Sequence, residues 1–355
     1  MRGRIAGVLV ALSPELVAYA ALLMTEPLAS LAPITAALFP LALRDRRPLL
    51  SAALAGVCLG LGALVRPQTL LCVPGLFLIF ACPDQLRATA RSAALATVVA
   101  GASALAVVAP WTARNCRVMD GCALVSTNAG WNLAIGALPR ATGRFETLRA
   151  ADGCPVVTGQ VQQDRCWGEE GLAAIRRDPV RWLGLVPKKL SFTFDHASFA
   201  MGYLGEADRA RFTEPRKETG RTWLTATHRA LLVLAALAAA AAPWRRTGRE
   251  RVAQIALLVA LGGLFAWLLH HDEMRPFWIV AALTPALLAL PLPGAPRLGP
   301  LGRYLAFSYA AVVVTHAVFF GEDRYHVFLV PVLALLAASA LREEPRCSRP
   351  VDASA

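Results

Sequence analysis

Arg66 and Gln68 stand in LVRPQTLL (64–71), a short polar break between two runs, 49–65 and 69–82, that are otherwise almost wholly apolar. A guanidinium is a planar fork of donors that grips phosphate oxygens in pairs and keeps its proton at physiological pH. Polar groups recur at comparable breaks: Glu26 in MTEPL, His270 to Arg275 in HHDEMR, and Asp323 to His326 in GEDRYH. Asn115, Asn128 and Asn132 stand at the start of a long polar connection. Taken singly, each has the composition of a solvated turn. Gathered on one side of a membrane, they would line a wet cavity, because polar groups at that depth are costly unless they pair or meet water. A cavity of that kind, with fixed cations, suits a lipid-linked phosphate.

The elements that must position these residues read as membrane helices. Of 355 residues, 56% are hydrophobic and 17% charged, against about 25% charged in a soluble domain. A spanning helix needs roughly 17–25 predominantly apolar residues. Runs of that character recur at 5–24, 27–43, 49–65, 69–82, 92–110, 230–244, 252–269, 277–291, 304–320 and 327–341, of which 69–82 and 230–244 are short. The first run is one of many and lacks the pattern of a cleavable signal peptide. The expectation is an all-α integral membrane protein of about ten transmembrane helices.

Arginine placement orients the set. With the N-terminus in the cytoplasm, the inner segments carry Arg2, Arg4, Arg44, Arg46, Arg47, Arg87, Arg91, Arg245, Arg246, Arg249, Arg251, Arg297, Arg303, Arg342, Arg346 and Arg349. The short outer connections hold Arg66, Arg275 and Arg324. The positive-inside rule therefore places both termini in the cytoplasm. The net charge of +12 is mostly this asymmetry, and no basic stripe with interleaved aromatics points to nucleic acid.

This topology divides the chain into five spans (1–110), an outer connection (111–229), five more spans (230–341) and a cytoplasmic tail (342–355). The connection is too long for a simple loop and reads as a small ordered extracytoplasmic subdomain. It holds Cys116, Cys122, Cys154 and Cys166, in a compartment that permits disulfides. Four cysteines allow three pairings; Cys116–Cys122 and Cys154–Cys166 each close a short local loop. A zinc site is the alternative, although the connection has no Cys-x-x-Cys and only His196 and His228 as histidines. Cys58, Cys72 and Cys82 read as core residues. Within 168–194 the pattern gives one helix, a break at Asp178-Pro179, and a second amphipathic stretch. Its apolar face is Trp182, Leu183, Leu185, Val186, Leu190 and Phe192, with Arg181, Lys188 and Lys189 opposite. That stretch suits either the membrane interface or packing on the subdomain.

No GxSxG, Walker loop, HExxH or Rossmann fingerprint is present. Instead ALSPELVAYAALLMTEPLASL (11–31), GLGALVRPQTLLCVP (60–74), PWTARN (110–115), STNAGWNLAIGALPRATGRF (126–145) and GEDRYHVFLVPVLALLAA (321–338) follow in order. In this series the chain resembles bacterial membrane glycosyltransferases of the GT-C superfamily, in the branch of protein O-mannosyltransferases and aminoarabinose transferases, over nearly its whole length. The resemblance implies transfer of a sugar from a polyprenyl-phosphate carrier, with inversion, to a lipid, protein or glycan acceptor at the outer face of the bacterial cytoplasmic membrane. Its partners would be that donor, membrane lipids and the acceptor. No cofactor is implied, and a divalent metal is left open.

Carried over residue by residue, the resemblance puts Arg66 near the carrier phosphate, where it would stabilise the departing group. The other reading of Arg66 is an interface marker. Glu26 matches a Thr/Ser-Glu position facing the same cavity, and Arg324 and Tyr325 match an Arg-Tyr pair near the last span. With Gln68 and Asn132 these form the expected substrate-binding set. The departure is at the front: relatives have seven spans before the long loop, with an acidic loop after the first. The expectation is about 80–120 further residues upstream, allowing about 20 per span. Within 1–355 the catalytic carboxylate has only Glu26, Asp195 and Asp272 as substitutes. A non-catalytic binder of polyprenyl-linked glycans is the alternative. A transporter is a third, but it would want inverted repeats or broken helices at midplane, and neither is evident.

Overall fold

The computed structural model describes residues 2–82, 85–155, 159–241, 248–270, 276–289 and 298–338. Among them the chain is helix and connection, and Arg144 and Gly321 form an isolated bridge. The helices are α1 (Arg2–Ala11), α2 (Pro14–Ala21), α3 (Thr25–Leu43), α4 (Pro48–Val65), α5 (Phe77–Phe80), α6 (Leu86–Val118), α7 (Ala129–Ala137) and α8 (Gln160–Arg177). They continue as α9 (Pro179–Gly184), α10 (Val186–Phe194), α11 (Phe199–Ala207), α12 (Glu214–Ala241), α13 (Gly248–His270), α14 (Trp278–Ala289), α15 (Pro300–Val318) and α16 (Val330–Ala337).

Among the described residues six helices, α3, α4, α6, α12, α13 and α15, are long and apolar enough to cross a membrane, and the α1–α2 pair makes a seventh if counted as one span. That pair bends by 48° at Ser13-Pro14. Proline has no N–H for the preceding turn, and Ser13 Oγ caps the new helix by accepting from Leu16 N at 3.4 Å. Apolar side chains face outward along these helices, as on α3 (Leu28, Leu31, Leu38) and α6 (Leu95, Val98, Leu105), which is how a lipid-facing stripe reads.

Six or seven full-length spans among the described residues are fewer than the ten expected. The runs expected at 69–82, 277–291 and 327–341 are short apolar elements among the described residues. In the first of these, prolines start the short turns. Pro67 and Pro74 open successive 3-10 turns over Pro67–Cys72 and Pro74–Leu76 before α5 begins, and the 3-10 stretch Asp323–Leu329 precedes Pro331 in α16. The segment 67–80 nevertheless runs the length of α3. At one end Arg66 Nε bonds Thr25 Oγ1 at 2.9 Å; at the other Arg44 Nη1 bonds Ile79 O at 3.0 Å. Fourteen residues reach about 26 Å because a 3-10 turn rises about 2.0 Å per residue rather than 1.5 Å.

Close backbone packing joins α4 to α6. Gly56 and Gly60 let α4 lie against the main chain of α6 at Ala100 and Ala104, where a Cβ would collide with the carbonyls. Small residues in this spacing are what brings membrane helices together when no hydrophobic drive separates lipid from protein.

The boundaries expected at 110/111 and 229/230 fall inside α6 and α12, which run unbroken through them. Helical hydrogen bonding does not stop where apolarity stops. What lies between these helices is 119–213. Cys116–Cys122 and Cys154–Cys166 are both disulfide-bonded, which uses up the thiolates of the zinc alternative. Cys82 is disulfide-bonded rather than a free core thiol, whereas Cys58 and Cys72 are free. The stretch has a small core of Ala134, Leu138, Cys154, Trp167 and Ala174, with Trp131 packed on Trp167 at 5.7 Å. Asp120 starts α8 by accepting from Val161 N (3.0 Å) and Gln162 N (2.8 Å), and these amides hold its carboxyl below the usual range.

The break at Asp178 is present, with Asp178 Oδ1 accepting from Arg181 N at 2.9 Å. Lys189, expected on the polar face, is fully buried. Its Nζ donates to Val318 O (2.9 Å) and Ala317 O (3.3 Å) at the C-terminus of α15, where free carbonyls and the helix dipole both favour a cation. Arg181 likewise serves the end of α7 through Leu138 O at 3.0 Å and Ala137 O. Gly321 N donates to Gly143 O at 2.9 Å. The stretch 119–213 is thus seated on the end of the bundle where α3 begins and α4, α6 and α15 finish.

Candidate functional site

Arg66 is the residue at which α4 ends. It precedes Pro67, and a residue before proline is pushed out of the helical region; its backbone is extended at φ −145°, ψ 113°. Its N–H still reaches Gly62 O at 2.7 Å, so the side chain leaves the helix end in a fixed direction. There Nη2 meets Glu26 Oε1 in a short ion pair while Nε is held by Thr25 Oγ1. Thr25 Oγ1 in turn donates to Glu26 Oε2 at 3.3 Å. Glu26 is 1% exposed and lies in the first turn of α3, where the helix dipole favours an anion. Arg66 Nη1 makes no hydrogen bond among the described residues.

Tyr325 closes the other side. Arg66 Cζ lies 5.5 Å from its ring centre, and His316 stacks on it at 4.4 Å with the planes 12° apart. Arg324 donates from Nη2 to Tyr325 Oη at 3.2 Å and lies over the rings of Phe199 (4.8 Å) and Tyr325 (5.0 Å). Its Nε is 2.8 Å from Glu322 Oε2, a contact without hydrogen-bond alignment. Burial raises the Glu322 carboxyl, and Arg324 opposes the shift; the Tyr325 phenol is raised for the same reason and opposed by the same cation. The cluster holds two guanidiniums against two carboxylates. Asp323, between them, accepts from Ser198 N and, at 2.9 Å, Phe199 N, and so caps α11.

Four of the six expected binding residues, Glu26, Arg66, Arg324 and Tyr325, therefore meet. Gln68 is the second residue of the 3-10 stretch next door, and its Nε2 is sealed from solvent with no partner among the described residues. Asn132 lies half-buried on α7, and no described contact links it to the cluster. Asn115 is fully buried and structural, with Nδ2 donating to Ala123 O (3.0 Å) and Val125 O (3.2 Å). Asp272 lies outside the described residues. Asp195 is a buried latch: its carboxylate accepts from Ser191 Oγ (2.5 Å) and Trp278 N (2.6 Å), and its carbonyl from Arg229 Nε (2.8 Å). Burial pushes its carboxyl up to about 7.

Sequence reasoning missed Thr25, His316 and Phe199 in this cluster, and missed Glu15 altogether. Thr25 was visible as the hydroxyl beside Glu26. The signal for Glu15 was plain: an acidic residue inside the run 5–24 needs a partner. It has one, since His326 Nε2 lies 3.0 Å from Glu15 Oε1.

The chain matches no protein-family model, no curated protein and no solved structure.

Proposed function

We propose that the chain is a polyprenyl-phosphate-sugar-dependent glycosyltransferase, with the Arg66 end of the bundle facing outward and both termini in the cytoplasm of a bacterial cell. The observation that carries this reading is the meeting of Glu26, Arg66, Arg324 and Tyr325, from opposite ends of the sequence, beside an apolar segment that runs the length of α3. In the proposed reaction the donor phosphate sits against Arg66 Nη1 and the Arg324 guanidinium, the isoprenoid tail lies along the apolar helices, and the acceptor attacks the anomeric carbon from the far side. Glu26 and Thr25 hold Arg66 so that its free edge needs no reorganisation as charge builds on the departing phosphate, which is where fixed donors contribute most.

A second reading, a binder that holds the carrier without catalysing transfer, is favoured by one observation. Each described candidate carboxylate is engaged, Glu26 by Arg66 and Asp195 by Ser191 and Trp278. Reconstitution of the full chain in liposomes with a radiolabelled polyprenyl-phosphate sugar separates the two. Binding with transfer to an added lipid, peptide or glycan supports the transferase, and binding without transfer the binder. Absence of saturable binding overturns both.

A further inference from the structure

A second buried cluster adjoins this site and is not needed by that reading. His228 Nε2 lies 2.9 Å from Phe194 O, and His326 Nδ1 lies 2.6 Å from Thr193 O. These are consecutive carbonyls at the end of α10, left without helical partners. A carbonyl oxygen only accepts, so each of these ring nitrogens carries a proton and donates. That leaves His228 Nδ1 and His326 Nε2 as the nitrogens open to a further partner, the latter 3.0 Å from Glu15 Oε1. The rings stack at 3.7 Å, and one ligand atom from each of Glu15, His228 and His326 lies within 4.8 Å of the other two. All three residues are at most 2% exposed.

His228 Nδ1 is the orphan. It is sealed from solvent and makes no hydrogen bond among the described residues, an unfavourable state for a buried polar atom. Ring stacking does not satisfy a lone pair, and Glu15 is already engaged by His326. A cation at the meeting point would satisfy all three groups together.

We propose that Glu15, His228 and His326 bind a divalent first-row transition cation of the zinc class, tying α2, α12 and the 323–329 segment into one unit. Two imidazoles and one carboxylate suit such ions, and carbonyls that fix the far ring nitrogens are the usual outer support of histidine ligands. At bond lengths near 2.0–2.1 Å, tetrahedral donors lie about 3.3 Å apart, and the Glu15–His326 spacing of 3.0 Å is already close to this. Binding displaces any proton on His326 Nε2 and leaves one position for water. His326 follows Tyr325 directly, so the ion would also fix the strand of chain that presents Tyr325 and Arg324 to Arg66.

The test uses the full chain, untagged, purified in detergent micelles, stripped with a chelator and titrated with Co2+. The expected result is one cobalt per chain, a visible absorption band from histidine coordination, and displacement of that cobalt by Zn2+. Loss of an outer-shell partner costs about 10–100-fold in metal affinity, so His228→Gln, which removes a direct ligand, is expected to weaken cobalt by more than about 100-fold. Glu15→Gln keeps a hydrogen-bonding partner for His326 and is expected to weaken it as well. A wild-type chain that takes up no cobalt at millimolar concentration overturns the proposal whatever the variants do. So does a folded His228→Gln chain that binds cobalt as wild type, since the ion then sits elsewhere.

Discussion

Arg66, the residue at which α4 ends, is ion-paired with Glu26 in the first turn of α3. The pair is unequal: Glu26 is sealed inside while the arginine side chain keeps 17% of its surface. Breaking a buried pair from one side strands a charge, at about 3–5 kcal/mol.

Arg66→Ala is therefore expected to lower both stability and donor binding, and Glu26→Gln in the same chain to restore stability alone. In a chain with measurable transfer, the missing donor raises the barrier by about 2.7–4 kcal/mol, and Arg66→Lys keeps part of the activity. Thermal unfolding and turnover, measured on the two single variants and the double, separate the effects. Recovery of full turnover in the double variant would make Arg66 a purely structural residue.

Asp195 sets a pH dependence. Its carboxyl titrates near 7 in the folded chain against about 3.9 unfolded. Between these values the folded state binds more proton than the unfolded, so stability falls as pH rises from about 4 to 7. Asp195→Asn is expected to flatten that decline in the unfolding temperature, with little loss at pH 7. An unchanged pH profile in the variant would show that Asp195 is ionised throughout.

Lys189 should behave in the opposite sense to an ordinary surface lysine. It is buried against the end of α15, and Lys189→Ala is expected to loosen 119–213, seen as faster proteolysis there while α3, α4 and α6 stay protected. Burial and the nearby Arg181 bring its ammonium down to about 8, so raising pH from about 8 to 10.5 removes a proton from the native form before the unfolded one. The cost of holding that charge in the fold is relieved across the same window. Equal proteolysis of wild type and variant would remove Lys189 from the docking contact.

The Cys116–Cys122 and Cys154–Cys166 disulfides predict two linked peptides in a non-reducing digest, 116 with 122 and 154 with 166. Replacing Cys154 and Cys166 by serine is expected to destabilise the 119–213 stretch by about 2–4 kcal/mol. A digest showing crossed pairings would contradict the fold of this stretch.

Sidedness is open to a direct reading. A cysteine at Thr222, exposed on α12, should react with a membrane-impermeant maleimide in intact cells, whereas one at Asp45, at the other end of α3, should not. The parent chain controls for Cys58 and Cys72. Labelling at Asp45 alone would turn the proposed orientation over.

The long helices were legible because apolar runs such as 27–43 and 49–65 dominate their windows, and Asp178-Pro179 was legible because a capping residue before proline has few other uses. Where α6 and α12 stop was not, since hydropathy locates the lipid boundary and helices obey caps. Arg66, Glu26 and Tyr325 could be collected from the sequence only as residues on one side; that Arg66 reaches both depends on α3 and α4 lying side by side. Lys189 shows the limit of periodicity. Its position on a helical wheel is polar, yet the carbonyls of Ala317 and Val318 that receive it belong to a helix more than a hundred residues away.

The 3-10 turns between Pro67 and Leu76 have a mechanical consequence. Rewound as an α-helix, these ten residues would shorten by about 5 Å, close to one helical pitch. Arg66 and Ile79 could not then both keep their partners, Glu26 at one end of α3 and Arg44 at the other. The two polar ties hold this segment as a taut strap, and whichever ligand or substitution loosens the Arg66 anchor gives it a full turn of slack.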